Sequence, residues 1–271
     1  MNISSYKDWF QSYTDQFLYH DEIKDYPFIV KKNHTRRVCS IIDSMCEDLD
    51  VPEHVGELAQ IIALFHDLGR FEQYARYHTF KDSESINHGV QSIKDLVHNN
   101  VIGDLPQRIR RIIYNAIRYH GVANIPLDKD EETLFYMRLI RDADKLDIWR
   151  IFINYYNDRN TPQNQVLELG VIDRPECSES ILDALSKGRI ALISELKTSN
   201  DFKLIQLGWV FDLNFSYSFK DIKNSNIIEQ LADMLPKSET IQSIVNKLMV
   251  YRDDQIENQS KVFDSFAKRL S

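Results

Sequence analysis

Apolar residues recur at helical spacing along most of the chain. Leu58, Ile61, Ile62 and Phe65 fall at i, i+3, i+4 and i+7, and Ile109, Ile112, Ile113, Ala116 and Ile117 form a second such stripe. Val38, Ile41, Ile42 and Met45 make a third, and Leu139, Ile140 and Ala143 a fourth. No run alternates with a period of two, so the pattern predicts an all-α fold. Further helices are expected over 181–196, 202–213, 227–235 and 241–250. The stretch from Gly69 to Ser85 is polar, aromatic and basic. It reads as an irregular loop too long for a plain connector, and such loops are often functional. Breaks are expected at 158–162 and around Asp173 to Pro175, and no repeat is visible. The division expected is a helical catalytic core over 1–155, with helices over 156–271 packed on it.

Composition sharpens this picture. The 271 residues include only 8 Gly and 7 Pro, which suits long helices better than a turn-rich sheet. A net charge of -8 disfavours stable nucleic-acid binding, which depends on Lys and Arg neutralising phosphates. It leaves room for a small anionic substrate, because a bound ion or local cations can dominate a site. Cys39, Cys46 and Cys177 fit no zinc spacing. No cationic segment followed by an apolar run opens the chain, and no apolar stretch approaches the ~18 residues of a membrane span. A reducing cytoplasm is therefore the expected location.

Six ionisable residues stand out in order: His34, His66, Asp67, His88, His120 and Asp144. His34 shares a stripe with Val30, Val38 and Ile41, and His66 follows Phe65 at a helix end. His88 opens one predicted helix, His120 closes another, and Asp144 lies one turn after Ile140. A single buried imidazole is ordinary, but a buried carboxylate is costly unless paired or bound to metal. Imidazoles and carboxylates brought together would be natural ligands for a cation.

His66-Asp67 followed by Leu68-Gly69-Arg70, with an upstream His and the downstream run Arg141-Asp-Ala-Asp-Lys-Leu-Asp147, resembles the HD-domain superfamily. His88 and His120 extend the likeness to the variant that holds two metals. The resemblance covers about residues 30–155. It implies an HD-domain helical bundle with additional C-terminal helices. It also implies one metal on His34, His66, Asp67 and Asp144, and a second on His88 and His120, with Asp67 bridging the two. The ligand Asp is the one before the basic residue, here Asp144, which makes Asp142 a supporting or surface residue. The sequence leaves room for the two to be exchanged. Mixed ligation of this kind favours two divalent transition-metal ions, Mn, Fe, Co or Ni, over calcium.

The implied activity is a metal-dependent phosphohydrolase that cleaves an ester or anhydride of a small metabolite or nucleotide through a metal-bridged hydroxide. Asp67 and Arg70 are the candidate catalytic residues. Arg37, Arg70, Tyr74, Tyr77 and Lys145 are candidates for substrate binding. His20, His54, His78 and His98 have no place in the pattern. The GYP motif of cyclic-dinucleotide hydrolases is absent, as is the Glu-Asp pair that follows HD in hydrolases of stringent-response nucleotides. The same ligands also suit a di-iron oxygenase that cleaves a C–C or C–P bond, or a metal-binding sensor without catalysis. Trp209, Phe211, Phe215, Tyr217 and Phe219 lie close together, and fit a core, a cap over the site or the face of a homodimer.

Overall fold

The computed structural model describes residues 2–157 and 174–258. The breaks expected at 158–162 and at Asp173 lie outside them. Every regular element among the described residues is helical, with no strand. None of their helices is long and apolar enough to cross a membrane.

The chain divides into two compact units between Asp147 and Ile148. The first holds α1 (Ile3–Asp15), α2 (Glu22–Asp48), α3 (Glu53–Phe65), α4 (Gly69–Tyr77), α5 (His88–His98) and α6 (Gln107–Tyr119), together with the N-terminal part of α7 (Glu131–Asn157). Both this division and the expected one at 155/156 fall inside α7. The stripes read from the sequence are the buried faces. Val38, Ile42 and Met45 of α2, Ile61, Ile62 and Phe65 of α3, Ile113, Ala116 and Ile117 of α6, and Leu139, Ile140 and Ala143 of α7 are all sealed from solvent. Burying such side chains contributes roughly 1.5–3 kcal/mol each.

Local signals place the helix starts. Asp21 caps α2 by accepting from the backbone N–H groups of Ile23 and Lys24. Asn87 caps α5 through Val90, and Asp130 accepts from Thr133 ahead of α7. Each satisfies backbone donors that a helix start leaves unpaired. α1 lies over α3 and contributes aromatic edges: Tyr6 and Trp9 meet Phe65, while Phe10 meets Phe71 of α4.

One expectation fails here. Gly69 to Ser85 is not a single irregular stretch, because residues 69–77 form α4. Its polar residues are good helix formers, and Phe71 supplies the buried anchor. The irregular part is confined to residues 78–87, with a short 3-10 turn at Asp82–Glu84.

The second unit comprises the rest of α7 with α8 (Glu179–Ser186), α9 (Ser199–Gly208), α10 (Ser216–Asn224), α11 (Ile227–Asp233) and α12 (Glu239–Asn258). The helix expected over 181–196 stops at Ser186. Gly188 takes the left-handed conformation (φ 71°), its N–H bonds to Leu185, and the Arg189 N–H bonds to Ala184. Glycine adopts that conformation without the steric cost of a Cβ, so the helix closes there. The helix expected over 202–213 is α9, which starts earlier and passes into a 3-10 turn at Trp209–Asp212. Phe215 and Phe219 are core residues of this unit.

Candidate metal centre

The six candidate ligands come together, although they lie on five helices or their ends. His34 is on α2, His66 and Asp67 follow α3, His88 opens α5, His120 closes α6, and Asp144 is on α7. Two glycines permit the approach. Gly69 packs against the backbone of α5, and its N–H donates to the Ser92 hydroxyl. Ser92 in turn donates to the carbonyls of His66 and His88, tying the two segments together. Gly89 lies against the Ile117 carbonyl of α6. Arg141 of α7 fixes the end of α6 by donating to the carbonyls of Tyr119, His120 and Val122.

All four imidazoles are anchored through Nδ1. His66 donates to the Ala63 carbonyl and His120 to the Ile117 carbonyl, both at 2.7 Å. His34 donates to Asp147 at 2.7 Å, and His88 to Asp82 at 2.8 Å. A carbonyl or carboxylate oxygen only accepts, so each Nδ1 carries a proton and each ring, in its neutral form, presents the Nε2 lone pair. Those lone pairs converge. The Nε2 atoms of His34 and His66 are 3.3 Å apart, and those of His88 and His120 are 3.0 Å apart. Two lone pairs facing one another at that distance repel unless a cation lies with them.

Asp67 sits between the two pairs. Its Oδ2 lies 3.6 Å from His34 Nε2 and 3.8 Å from His66 Nε2. Its Oδ1 lies 3.4 Å from His88 Nε2 and 3.5 Å from His120 Nε2. Asp144 Oδ1 joins the first pair, 3.1 Å from His34 Nε2 and 3.8 Å from His66 Nε2. Among the described residues, two groups have geometry able to hold an ion: His34 with His66 and the partly buried Asp144, and the buried His66 with Asp67 and His120. His66 is within reach of both groups. We pair it with His34 because it faces the same Asp67 oxygen, Oδ2, whereas His120 faces Oδ1. The donor set fits divalent transition metals: anchored neutral imidazoles and ionised carboxylates, with no thiolate.

The electrostatics favour these ligand forms. Burial lowers the His66 pKa. Burial, reinforced by the Arg70 guanidinium, pushes His88 down to about 4, so its ring is neutral at neutral pH. Burial opposes ionisation of Asp67, but Lys31, His66 and Arg70 outweigh it and hold the carboxyl well below the usual range. At Asp144 the same opposition is outweighed by His34 and His66. His34 is the exception: its bonds to Asp144 and Asp147 overcome burial and raise its pKa. A divalent ion in place of that proton would satisfy the same carboxylates.

The choice between the two aspartates resolves by helix geometry. Asp144 faces the imidazoles, while Asp142 is fully buried, which removes the surface alternative from the two expected for it. The other candidates are distributed as follows. Arg70 lies 3.5 Å from Asp67 Oδ1 through Nε, and its Nη1 donates to Gln73, to the Phe80 carbonyl and to Asp82. Arg37 grips Asp147 with two hydrogen bonds, at 2.6 and 3.0 Å, and so reaches His34 through that carboxylate. Tyr74 packs its ring against Phe28 and Phe80, while Tyr77 is exposed. Lys145 is buried, and its ammonium donates back to the Arg141 carbonyl of its own helix.

Four contributors have no role assigned from the sequence: Lys31, Asp82, Arg141 and Asp147. Lys31 Nζ lies 2.7 Å from Asp67 Oδ2. Asp82 joins His88 to Arg70 and Gln73, and these partners bring its carboxyl down to about 2 against the opposing effect of burial. A local signal existed for two of them. Lys31 is three residues before His34 and Asp147 three after Asp144, each on the same helix face as its ligand.

The chain matches no curated protein and no solved structure. Its residues 32–149 match the family model described as HD domain, a span that contains all six converging side chains, and this part of the chain is therefore an HD domain.

Proposed function

We propose that the chain is a metal-dependent phosphohydrolase with a two-ion centre, acting on a phosphate ester or anhydride of a small metabolite or nucleotide. The observation that carries this reading is the placement of Asp67, one oxygen toward each histidine pair. Two divalent ions held there would supply an acidified water and positive charge for the phosphoryl oxygens.

The protein's own residues do the rest. Asp147, Asp82 and the carbonyls of Ala63 and Ile117 fix the ring orientations, so the Nε2 atoms need little reorganisation to bind metal. Lys31 and Arg70 add positive charge on opposite oxygens of Asp67. A preorganised cation beside a phosphoryl group stabilises the charge that builds during its transfer. Mn, Fe, Co or Ni are the ions proposed, with a cytoplasmic setting and a small phosphorylated partner.

The experiment is a panel assay. The protein is loaded with Mn, Co, Ni or Fe(II) and offered nucleotides, sugar phosphates and other small esters, with phosphate release and oxygen uptake recorded together. Release of phosphate or pyrophosphate from at least one compound is expected, and chelation should abolish it. An intact panel alongside oxygen uptake with a polyol or phosphonate would replace this reading with the di-iron oxygenase.

A further inference from the structure

Two cations contact the Asp67 carboxylate, and they are held differently. Arg70 sits on Oδ1 at 3.5 Å while its Nη1 is committed to Gln73, Phe80 and Asp82. Lys31 sits on Oδ2 at 2.7 Å, and Asp67 is its hydrogen-bond acceptor among the described residues. The ammonium also lies 5.4 Å from the centre of the Phe80 ring. Its side chain keeps 18% of its exposure, against 4% for Asp67. Lys31 thus stands at the open side of a buried carboxylate, on a four-carbon stem that can move. It bonds the oxygen that faces His34 and His66, where an ion held by those residues would bind.

We propose that Lys31 is a metal-gated anion contact: it neutralises Asp67 before the centre is loaded, and is released toward the substrate's phosphoryl oxygens once a divalent ion takes over that carboxylate. This rests on the two-ion reading above. The physical basis is that a dication and an ammonium compete for one oxygen and repel one another at close range. Metal entry must weaken the Lys31–Asp67 bond. The displaced ammonium still hangs beside the centre over the Phe80 face, where an anion bound to the metals would attract it. Loading and substrate affinity are then coupled: the cation that holds the carboxylate in one state serves the anion in the other. A static salt bridge, kept with metal bound, would have a different signature, because its loss would take the same partner from Asp67 Oδ2 in both states and give metal no advantage.

The test measures binding as well as turnover. Lys31→Gln keeps a donor for Asp67 without the charge, and Lys31→Arg keeps the charge. Each is prepared loaded with Mn2+, so the metal-free fold is not required, and Mn2+ affinity is read by competition with a chelator. Orthophosphate affinity of the loaded proteins is read by calorimetry. Lys31→Gln should bind Mn2+ about tenfold more tightly, within the usual range of coupling between two sites. It should bind orthophosphate about 10- to 100-fold more weakly, as expected for a lost charged hydrogen bond. Lys31→Arg should lie close to wild type in both. Unchanged or weaker Mn2+ binding in Lys31→Gln would overturn the proposal, and so would unchanged orthophosphate affinity. A wild-type protein that takes up no Mn2+ would overturn the metal centre itself and this inference with it. Normal wild-type uptake with no effect in Lys31→Gln would overturn only the inference.

Discussion

Replacing Asp67 with alanine is expected to remove metal and activity together. One carboxylate faces both histidine pairs, at 3.4 to 3.8 Å from their Nε2 atoms, with a separate oxygen toward each pair. Without it, two ions would face each other with less negative charge between them. Loss of their shared ligand should cost several kcal/mol of transition-state stabilisation, or a fall of about a thousandfold or more in rate. His88→Ala and His120→Ala should behave differently. The Asp67 oxygen they face is Oδ1, whereas His34 and His66 face Oδ2, so His34, His66, Asp67 and Asp144 should remain for the first ion. Each should retain about one equivalent of metal, with low activity partly restored by excess metal. Metal analysis beside circular dichroism separates loss of ligands from loss of fold. Two tightly held ions and normal turnover in Asp67→Ala would refute the bridging role.

Gly69→Ala should be the most damaging single change outside the ligands. A Cβ there would lie 2.3 Å from the His88 carbonyl oxygen and 2.5 Å from the Ser92 nitrogen. Both are backbone atoms of α5, so no rotamer change relieves the clash and α4 and α5 must separate. Overpacking of a close-packed interior typically costs 1–3 kcal/mol, and a clash with backbone belongs at the upper end, about 3 kcal/mol or more. Separation would also draw His88 away from Asp67, so metal at the second pair should be lost as stability falls. Gly56→Ala is the matched control. Its added Cβ would meet only the Cys46 Cβ, at 4.0 Å, inside α3. Alanine is favoured over glycine in a helix by up to ~1 kcal/mol, so that variant should be as stable as wild type or slightly more so. Thermal melts of the three proteins with metal content measured in parallel decide it. A Gly69→Ala protein that melts with wild type and keeps its metal would mean the helices do not approach as closely as described.

How far the sequence carried this account follows from what is local and what is not. The apolar stripes of α2, α3, α6 and α7 are local patterns, so the helices and their buried faces were legible. The six candidate ligands were legible because their order and flanking residues match a family pattern. Asp144 and Asp142 were not separable from spacing alone, since only the packing of α7 shows which one meets His34. α4 was hidden because a glycine opens it and polar residues dominate it, a composition shared with loops. The supporting residues were hidden for another reason. Asp147 reaches His34 across 113 positions, and Arg141 reaches the end of α6 from the next helix. Such pairings depend on how helices pack, and no periodicity in one segment encodes them. Arg70 shows the converse. Its cation was legible from its place after the HD pair, but its attachment to Gln73, Phe80 and Asp82 was not, because that depends on how residues 78–87 fold back.

The central claim is that the four imidazoles and two carboxylates form a single centre for two ions, with Asp67 shared between them. The most direct measurement is the metal content of the purified wild-type protein, by elemental mass spectrometry after gel filtration in metal-free buffer. The account predicts close to two equivalents of transition metal per chain with little calcium, because the ligand set exceeds the four ligands of a single tetrahedral site. A reproducible single equivalent, with His88 and His120 both free of metal, would contradict it.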